Sequence, residues 1–184
     1  LAHVKKQPLI LTITGIVLTA ALFFWGRTTE AKKPFVASPI AESAKFFNIQ
    51  HFIDSSKSGL NPEQALYIEK LENGITRGDV PAQQIKAFNS LAEFWKDSLN
   101  LFEPYAYYIY ESAKLDNSEK NLTFAAQLFL EMLRGEHDDA KLKWETTTAV
   151  ELFEKAMQLN PDNADLKIGL GSCYIFGNGR SGDP

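Results

Sequence analysis

The chain has 184 residues, of which 45% are hydrophobic and 23% are charged, so it is neither wholly disordered nor collagen-like. Residues 1–33 contain five lysines and arginines and one acid, whereas residues 34–184 contain 14 and 22, which makes the larger part acidic. This balance predicts no nucleic-acid partner, because contacts with phosphates need clustered Lys and Arg.

A long apolar run lies near the start of the sequence. From Gln7 to Gly26 there are 20 residues without a charge. As a helix with a rise of about 1.5 Å per residue, they would span the hydrocarbon core of a bilayer. A cleaved signal peptide has a shorter core and a small-residue exit, and a lipoprotein needs a cysteine directly after the run. The sequence therefore predicts an uncleaved transmembrane anchor over Gln7–Trp25, within a first domain of residues 1–28.

The orientation of this anchor does not follow from charge. Cations flank both sides of the run, so the positive-inside count does not choose between the two orientations. A short leading tail commonly stays in the cytoplasm. We therefore expect a single-pass inner-membrane protein that contacts the bilayer through its N-terminal helix and has its soluble part in the periplasm.

A linker and a first helical pair are predicted next. Residues 29–43 contain two prolines and no helical period, which is typical of a linker. Within residues 44–80, apolar residues at helical spacing predict a helix over Ala44–Asp54. The sequence Asn61-Pro62 is a typical helix start, and the helix that follows it is predicted to reach about Thr76.

Residues 81–184 read as further helix pairs, with no alternating pattern that would indicate a strand. The predicted helices are Gln83–Leu99, Pro104–Lys114, Glu119–Arg134, Thr148–Leu159 and Ala164–Phe176. An insertion over 135–147 is expected to form a longer helix end plus a loop. The predicted fold class is therefore all-α, with a transmembrane helix followed by an α-solenoid of antiparallel helix pairs.

The spacing of small and aromatic residues in these helices resembles the tetratricopeptide repeat (TPR), a helix–turn–helix unit of about 34 residues. The matching positions are Phe88, Leu91, Ala92, Trp95, Ala106, Tyr110, Ala113, Leu122, Ala125, Ala126, Phe129, Ala149, Phe153, Ala156, Pro161, Leu170, Gly171 and Tyr174. Other helical hairpins share such spacing, but here the register is kept across Pro161. In this register Ala92, Ala126 and Gly171 are predicted to allow close helix packing.

Taken whole, the chain resembles membrane-anchored TPR proteins of Bacteroidetes-type bacteria. The resemblance rests on the anchor followed by GRTTEAKK, and on LAEFWKDS, FEPYAYYIYESAKL, NLTFAAQLFL and IGLGSCYIFGNG. It implies a scaffold without catalysis, a TPR part that faces the periplasm, and further repeats after residue 184.

Residues with catalytic or metal-binding potential are sparse. The three histidines are far apart in sequence, and the single cysteine, Cys173, excludes an intrachain disulfide and a Cys-based zinc site. No nucleophile motif or phosphate-binding loop is present. We therefore expect no enzyme activity, no cofactor and no metal, and we interpret Cys173 as a small core residue.

The expected functional surface of a TPR array is its concave groove, lined by residues of the first helix of each repeat. One position beyond the packing residues, the candidates for protein binding are Asn89, Glu93, Lys96, Thr123, Gln127, Leu130, Ile168, Ser172 and Ile175. Two functions remain open. The chain is either a membrane-tethered scaffold for a protein or peptide partner, or an accessory subunit of an enzyme or transport system whose chemistry lies elsewhere.

Overall fold

The computed structural model describes residues 46–77 and 80–178, and within them it contains seven α-helices and no strand. The prediction of an all-α fold is confirmed for this part of the chain. The helices are α1 Ile49–Lys57, α2 Pro62–Arg77, α3 Pro81–Leu99, α4 Phe102–Asp116, α5 Glu119–Gly135, α6 Asp139–Leu159 and α7 Ala164–Asn178. The predicted anchor and the linker over 29–43 lie outside the described residues.

Local side-chain chemistry explains where most helices begin and end. Asn61 and Gln64 each accept a hydrogen bond from the other's backbone N–H, at 2.9 and 3.1 Å, which is a reciprocal cap at the start of α2. Proline occupies the first position of α3, where its missing N–H costs nothing. Asn100 and Asn117 end α3 and α4 in the left-handed conformation, which asparagine tolerates better than most residues.

The helices pack mainly against their neighbours in the chain. The most extensive contacts join α3 to α4 and α5 to α6, and α5 also contacts α7. This pattern places successive hairpins side by side and is compatible with an α-solenoid. Within the described ranges, no helix is both long enough and apolar enough to span a bilayer.

Two hydrophobic clusters form the interior. The first joins α1 to α4 and centres on Trp95, Leu91 and Ile53, whose side chains are fully buried. The second joins α4 to α7 and centres on Phe129 and Phe153. The half-buried Ile109 of α4 packs against both clusters, so α4 connects the two halves of this helical region.

The predicted packing register is correct for the middle helices. In α5 and α6 the buried positions include every residue that the repeat pattern assigns to the interior. The fully buried Ala92 and Ala126 fulfil the role predicted for them. The small side chains allow adjacent helices to approach closely.

The register predicted for α7 is correct at Leu170, which packs half-buried against the second hydrophobic cluster, and wrong at Gly171 and Tyr174. Gly171 is exposed, and a Cβ added there would meet no atom within 4 Å. Tyr174 is 49% exposed. The close approach occurs at Gly169, where an added Cβ would lie 2.4 Å from the ring of Phe153. The buried face of α7 is formed by Leu166, Gly169 and Cys173. Cys173 is fully buried, as expected.

The largest differences from the predicted helix boundaries are at the starts of α1 and α6. Helix α1 begins at Ile49 rather than Ala44, because the side chain of Asn48 accepts a hydrogen bond from the backbone N–H of His51 at 3.0 Å. Most of the insertion over 135–147 belongs to α6. Asp138 caps that helix by accepting hydrogen bonds from two backbone N–H groups.

Candidate protein-binding cleft

Three of the predicted groove residues lie together in one cleft. The cleft has a volume of about 440 Å³ and lies among α3, α4 and α5. Helix α3 contributes Asn89, Glu93, Lys96 and Asp97 to its wall. The facing residues from α4 and α5 include Tyr105, Ile109, Ser112, Asn121 and Phe124.

The wall of this cleft combines aromatic and polar groups. The ammonium of Lys96 lies 5.2 Å from the centroid of the Tyr105 ring, a cation–π contact. Phe124 is 51% exposed. Ser112 is only 6% exposed, and its hydroxyl has no hydrogen-bond partner among the described residues. A bound chain would therefore find an apolar contact and an available hydrogen-bonding group within the same cleft.

A second cleft of about 440 Å³ adjoins the first. Glu93 and Asp97 line both clefts, so their carboxylates stand on a shared wall. The second cleft also contains Glu63, Tyr67 and Phe94, and the two aromatic rings are 5.6 Å apart. The two clefts together form a continuous surface of acidic and aromatic groups across α2, α3 and α4.

The acidic groups on this surface are not neutralised within the described part of the chain. Glu63, Glu93 and Asp97 are exposed, and none of them takes part in the ion pairs that the structure contains there. Among the described residues that line the two clefts, Lys96 is the one cation, and it contacts the Tyr105 ring. The surface therefore carries a net negative charge that faces solvent.

The other predicted groove residues do not join this cleft. Leu130 is 7% exposed and packs in the second hydrophobic cluster. The prediction that its side chain lines the groove surface is therefore wrong. The hydroxyls of Thr123 and Ser172 donate to backbone carbonyls of their own helices, at 2.7 and 2.9 Å. Gln127 is exposed on α5. On α7, Ile168 is 66% exposed and Ile175 is 68% exposed.

The sequence reasoning missed the contribution of α4 to the cleft. Tyr105, Ile109 and Ser112 follow each other at spacings of four and three, which defines a second stripe along that helix. The prediction used only the stripe that packs in the interior. A helix that packs between two hydrophobic clusters needs more than one contact face. The spacing of these three residues in the sequence could have indicated the second face of α4.

A buried carboxyl group lies on α6, outside the residues that line the two clefts. Glu145 is 1% exposed, and its Oε2 has no hydrogen-bond partner among the described residues. Burial, reinforced by the negative charges of Glu136 and Glu103, raises the pKa of Glu145 to about 8. Lys141, one turn earlier, forms a salt bridge with Glu103 of α4 and lowers this pKa only in part.

Polar side-chain contacts connect helices within each of the two halves, and α4 takes part in both sets. Lys57 of α1 forms a salt bridge of 2.7 Å with Glu72 of α2, which also accepts a hydrogen bond from the Tyr108 hydroxyl of α4 at 3.3 Å. The Tyr110 hydroxyl donates to Glu151 of α6 at 3.0 Å. Burial and the partner carboxylate raise the pKa of each tyrosine, so both hydroxyls stay protonated donors at neutral pH.

No arrangement for metal binding is found in the described ranges, where no three His, Cys, Asp or Glu side chains are grouped to hold an ion. Burial raises the pKa of the Cys173 thiol to about 11, which leaves the reactive thiolate scarce at neutral pH. No protein-family profile matches the chain, and no curated protein or solved structure is significantly similar to it.

Proposed function

We propose that this chain is a membrane-tethered scaffold of TPR-like helix pairs that binds a protein or peptide partner. The observation that carries the proposal is the cleft among α3, α4 and α5. It brings together the exposed ring of Phe124, the half-buried ring of Tyr105, two carboxylates that form no ion pair with the described residues and the Ser112 hydroxyl, in a space of about 440 Å³. The volume lies within the range of ligand-binding clefts, and a mainly polar wall with two aromatic rings suits a peptide partner.

The arrangement of the helices supports the repeat interpretation. The interior positions of α5 and α6 match those of a TPR, and Ala92 and Ala126 are buried at the positions where the repeat needs small residues. Solenoids of this kind present extended surfaces for binding other proteins. The apolar run over Gln7–Trp25 supports a membrane anchor. The resemblance to membrane-anchored TPR proteins supports an anchor in the inner membrane with the helical array in the periplasm.

A peptide selection tests the binding function. The full chain in lipid nanodiscs is exposed to a phage library of random dodecapeptides, and the enriched peptides are measured by fluorescence polarisation. Asn89 lies in the cleft wall, so Asn89→Trp fills part of the space and is expected to weaken binding at least about tenfold. Asn73 is exposed on α2 and lines neither cleft, so Asn73→Trp is the matched control.

The two variants separate a cleft function from nonspecific association. The proposal expects binding to the wild type and to Asn73→Trp, with a loss on Asn89→Trp. Failure to enrich any peptide, or equal binding by all three proteins, would refute a peptide-binding function for this cleft.

The anchor and its orientation have separate tests. After a carbonate wash, the full chain should remain in the membrane pellet with Gln7–Trp25 intact by mass spectrometry. A soluble product that begins near residue 27 would refute the anchor.

The orientation is tested with C-terminal fusions. An alkaline phosphatase fusion should be active, and the corresponding fluorescent-protein fusion, exported through the same pathway, should be dark. The opposite pair of results would place the helical array in the cytoplasm.

A further inference from the structure

We propose that the occupant of the cleft is a cationic peptide segment, with Arg or Lys side chains bound at Glu93 and Asp97. This inference rests on the proposed function and adds the chemical class of the partner. It follows from the charges of the cleft wall, from the aromatic groups beside them, and from the position of the single lysine.

The two carboxylates are placed to act together. Glu93 and Asp97 are four residues apart on α3, so they lie one turn apart on the same face of the helix. Both are exposed, both line the two adjoining clefts, and neither forms an ion pair within the described residues. Glu63 adds a third negative charge in the second cleft. A guanidinium or ammonium group on this wall would therefore meet carboxylates without displacing an existing partner.

The lysine in the wall does not reverse this preference. The Lys96 ammonium lies over the Tyr105 ring and is one positive charge beside the negative charges of Glu93 and Asp97 in the same cleft. An acidic segment or a free C-terminal carboxylate would face these two repelling groups and one attracting group. The acidic balance of residues 34–184, with 22 acids against 14 lysines and arginines, also attracts a cationic partner from a distance.

The remaining groups in the cleft suit a peptide chain rather than an isolated cation. Phe124 offers an exposed aromatic ring. Ser112, which is only 6% exposed as a residue, lines the cleft, and its hydroxyl forms no hydrogen bond with the described residues. The side-chain amide of Asn121 donates to Asp116 at 2.7 Å, and its carbonyl oxygen accepts no hydrogen bond from the described residues, so it can accept one from a peptide N–H. An extended segment with cationic and apolar side chains matches this combination.

The peptide selection described above tests this inference when the charge of the enriched peptides is counted. On the wild-type full chain in nanodiscs, we expect an excess of Arg and Lys over the input library. On Glu93→Gln/Asp97→Asn, this excess should disappear, and the tightest wild-type peptides should bind about five- to tenfold more weakly. Raising the salt concentration should weaken their binding to the wild type more than to the double variant.

A matched control keeps the net charge equal. Glu69 and Glu154 are exposed, lie outside both clefts, and form none of the ion pairs in the described residues. The variant Glu69→Gln/Glu154→Gln therefore changes the net charge by the same amount and should retain the cationic excess. Equal loss in the two double variants would overturn the inference, because the effect would then be one of overall charge.

The outcomes distinguish this inference from the function on which it rests. Peptides that lose binding on Asn89→Trp but show no excess of Arg and Lys would overturn the cationic partner and leave the binding cleft in place. An excess of Asp and Glu would also overturn it. If no enriched peptide depends on the cleft, the proposed function itself fails.

Discussion

Replacing the buried Glu145 by glutamine should make the protein more stable, and the gain should grow with pH. Glutamine keeps nearly the same shape and removes the ionisable group. The pKa of Glu145 is about 8 in the folded protein, against an ordinary value of 4.5. Because the folded state holds this proton more tightly than the unfolded state, ionisation above pH 4.5 opposes folding, and the penalty levels off once the pH exceeds 8.

The expected size follows from the two pKa values. At about 1.4 kcal/mol per pKa unit, the carboxyl costs the wild type about 1 kcal/mol at pH 5, about 3 kcal/mol at pH 7 and about 4 kcal/mol at pH 8. The difference in the free energy of unfolding between Glu145→Gln and the wild type should therefore grow by about 3 kcal/mol between pH 5 and pH 8. The substitution leaves Lys141, Glu103 and Glu136 in place, so the comparison reports on the carboxyl group of Glu145.

Urea unfolding of the full chain in detergent micelles, followed by far-ultraviolet circular dichroism at several pH values, measures this difference. Glu154 is an exposed glutamate on the same helix, so Glu154→Gln should change stability by under about 0.5 kcal/mol at every pH. Parallel stability curves for Glu145→Gln and the wild type between pH 5 and pH 8 would refute the reasoning. They would mean that Glu145 is solvated in the folded protein.

Three further predictions concern packing and hydrogen bonds, and each is measured on the full chain in the same micelles. Gly169→Ala should lower the free energy of unfolding by about 1–3 kcal/mol, because the new methyl group would clash with the Phe153 ring. Gly171→Ala should be neutral or stabilise the protein by up to about 1 kcal/mol. The reverse order of stability would contradict the register of α7. Tyr110→Phe should cost about 1 kcal/mol by removing a hydrogen bond between α4 and α6, and an unchanged urea midpoint would count against that contact. Cys173 should react with iodoacetamide at pH 7.5 far more slowly in the folded protein than in urea, and equal rates would show that its thiol is accessible.

The middle of the fold was predictable because its periodicity is unambiguous. In α5 the apolar residues Leu122, Ala125, Ala126 and Phe129 occupy one face, and polar residues such as Lys120 and Gln127 occupy exposed positions. One hydrophobic face allows only one way of packing the helix. The small and large residues on that face then indicate which positions lie closest to the neighbouring helix.

The register of α7 was not predictable in this way. Its apolar residues lie all around the helix, so periodicity does not select a buried face, and the match at Leu170, Gly171 and Tyr174 pointed to the wrong one. The choice depends on a tertiary contact, the Phe153 ring against Gly169. The start of α6 was hidden for a different reason. The buried Glu145 interrupts its apolar stripe, and a charged residue at that position is typical of a solvated loop.

The candidate site was predictable on α3 and not beyond it. Repeat geometry identified Asn89, Glu93 and Lys96, since the packing face of that helix is clear. The cleft is also lined by the second stripe of α4 and by α5. Which residues of these helices reach the cleft depends on how neighbouring hairpins stack. Leu130 shows the same limit, because it is buried in the second hydrophobic cluster at a position that the repeat pattern leaves on the groove.

Hydrogen–deuterium exchange of the full chain in nanodiscs, with and without a saturating concentration of a selected peptide, tests the central claim most directly. The claim is that a partner binds among α3, α4 and α5. It predicts slower exchange over residues 89–97, 105–113 and 121–124, with no comparable change in α7. Slower exchange confined to α7, or unchanged exchange throughout the three segments while the peptide is bound, would contradict it.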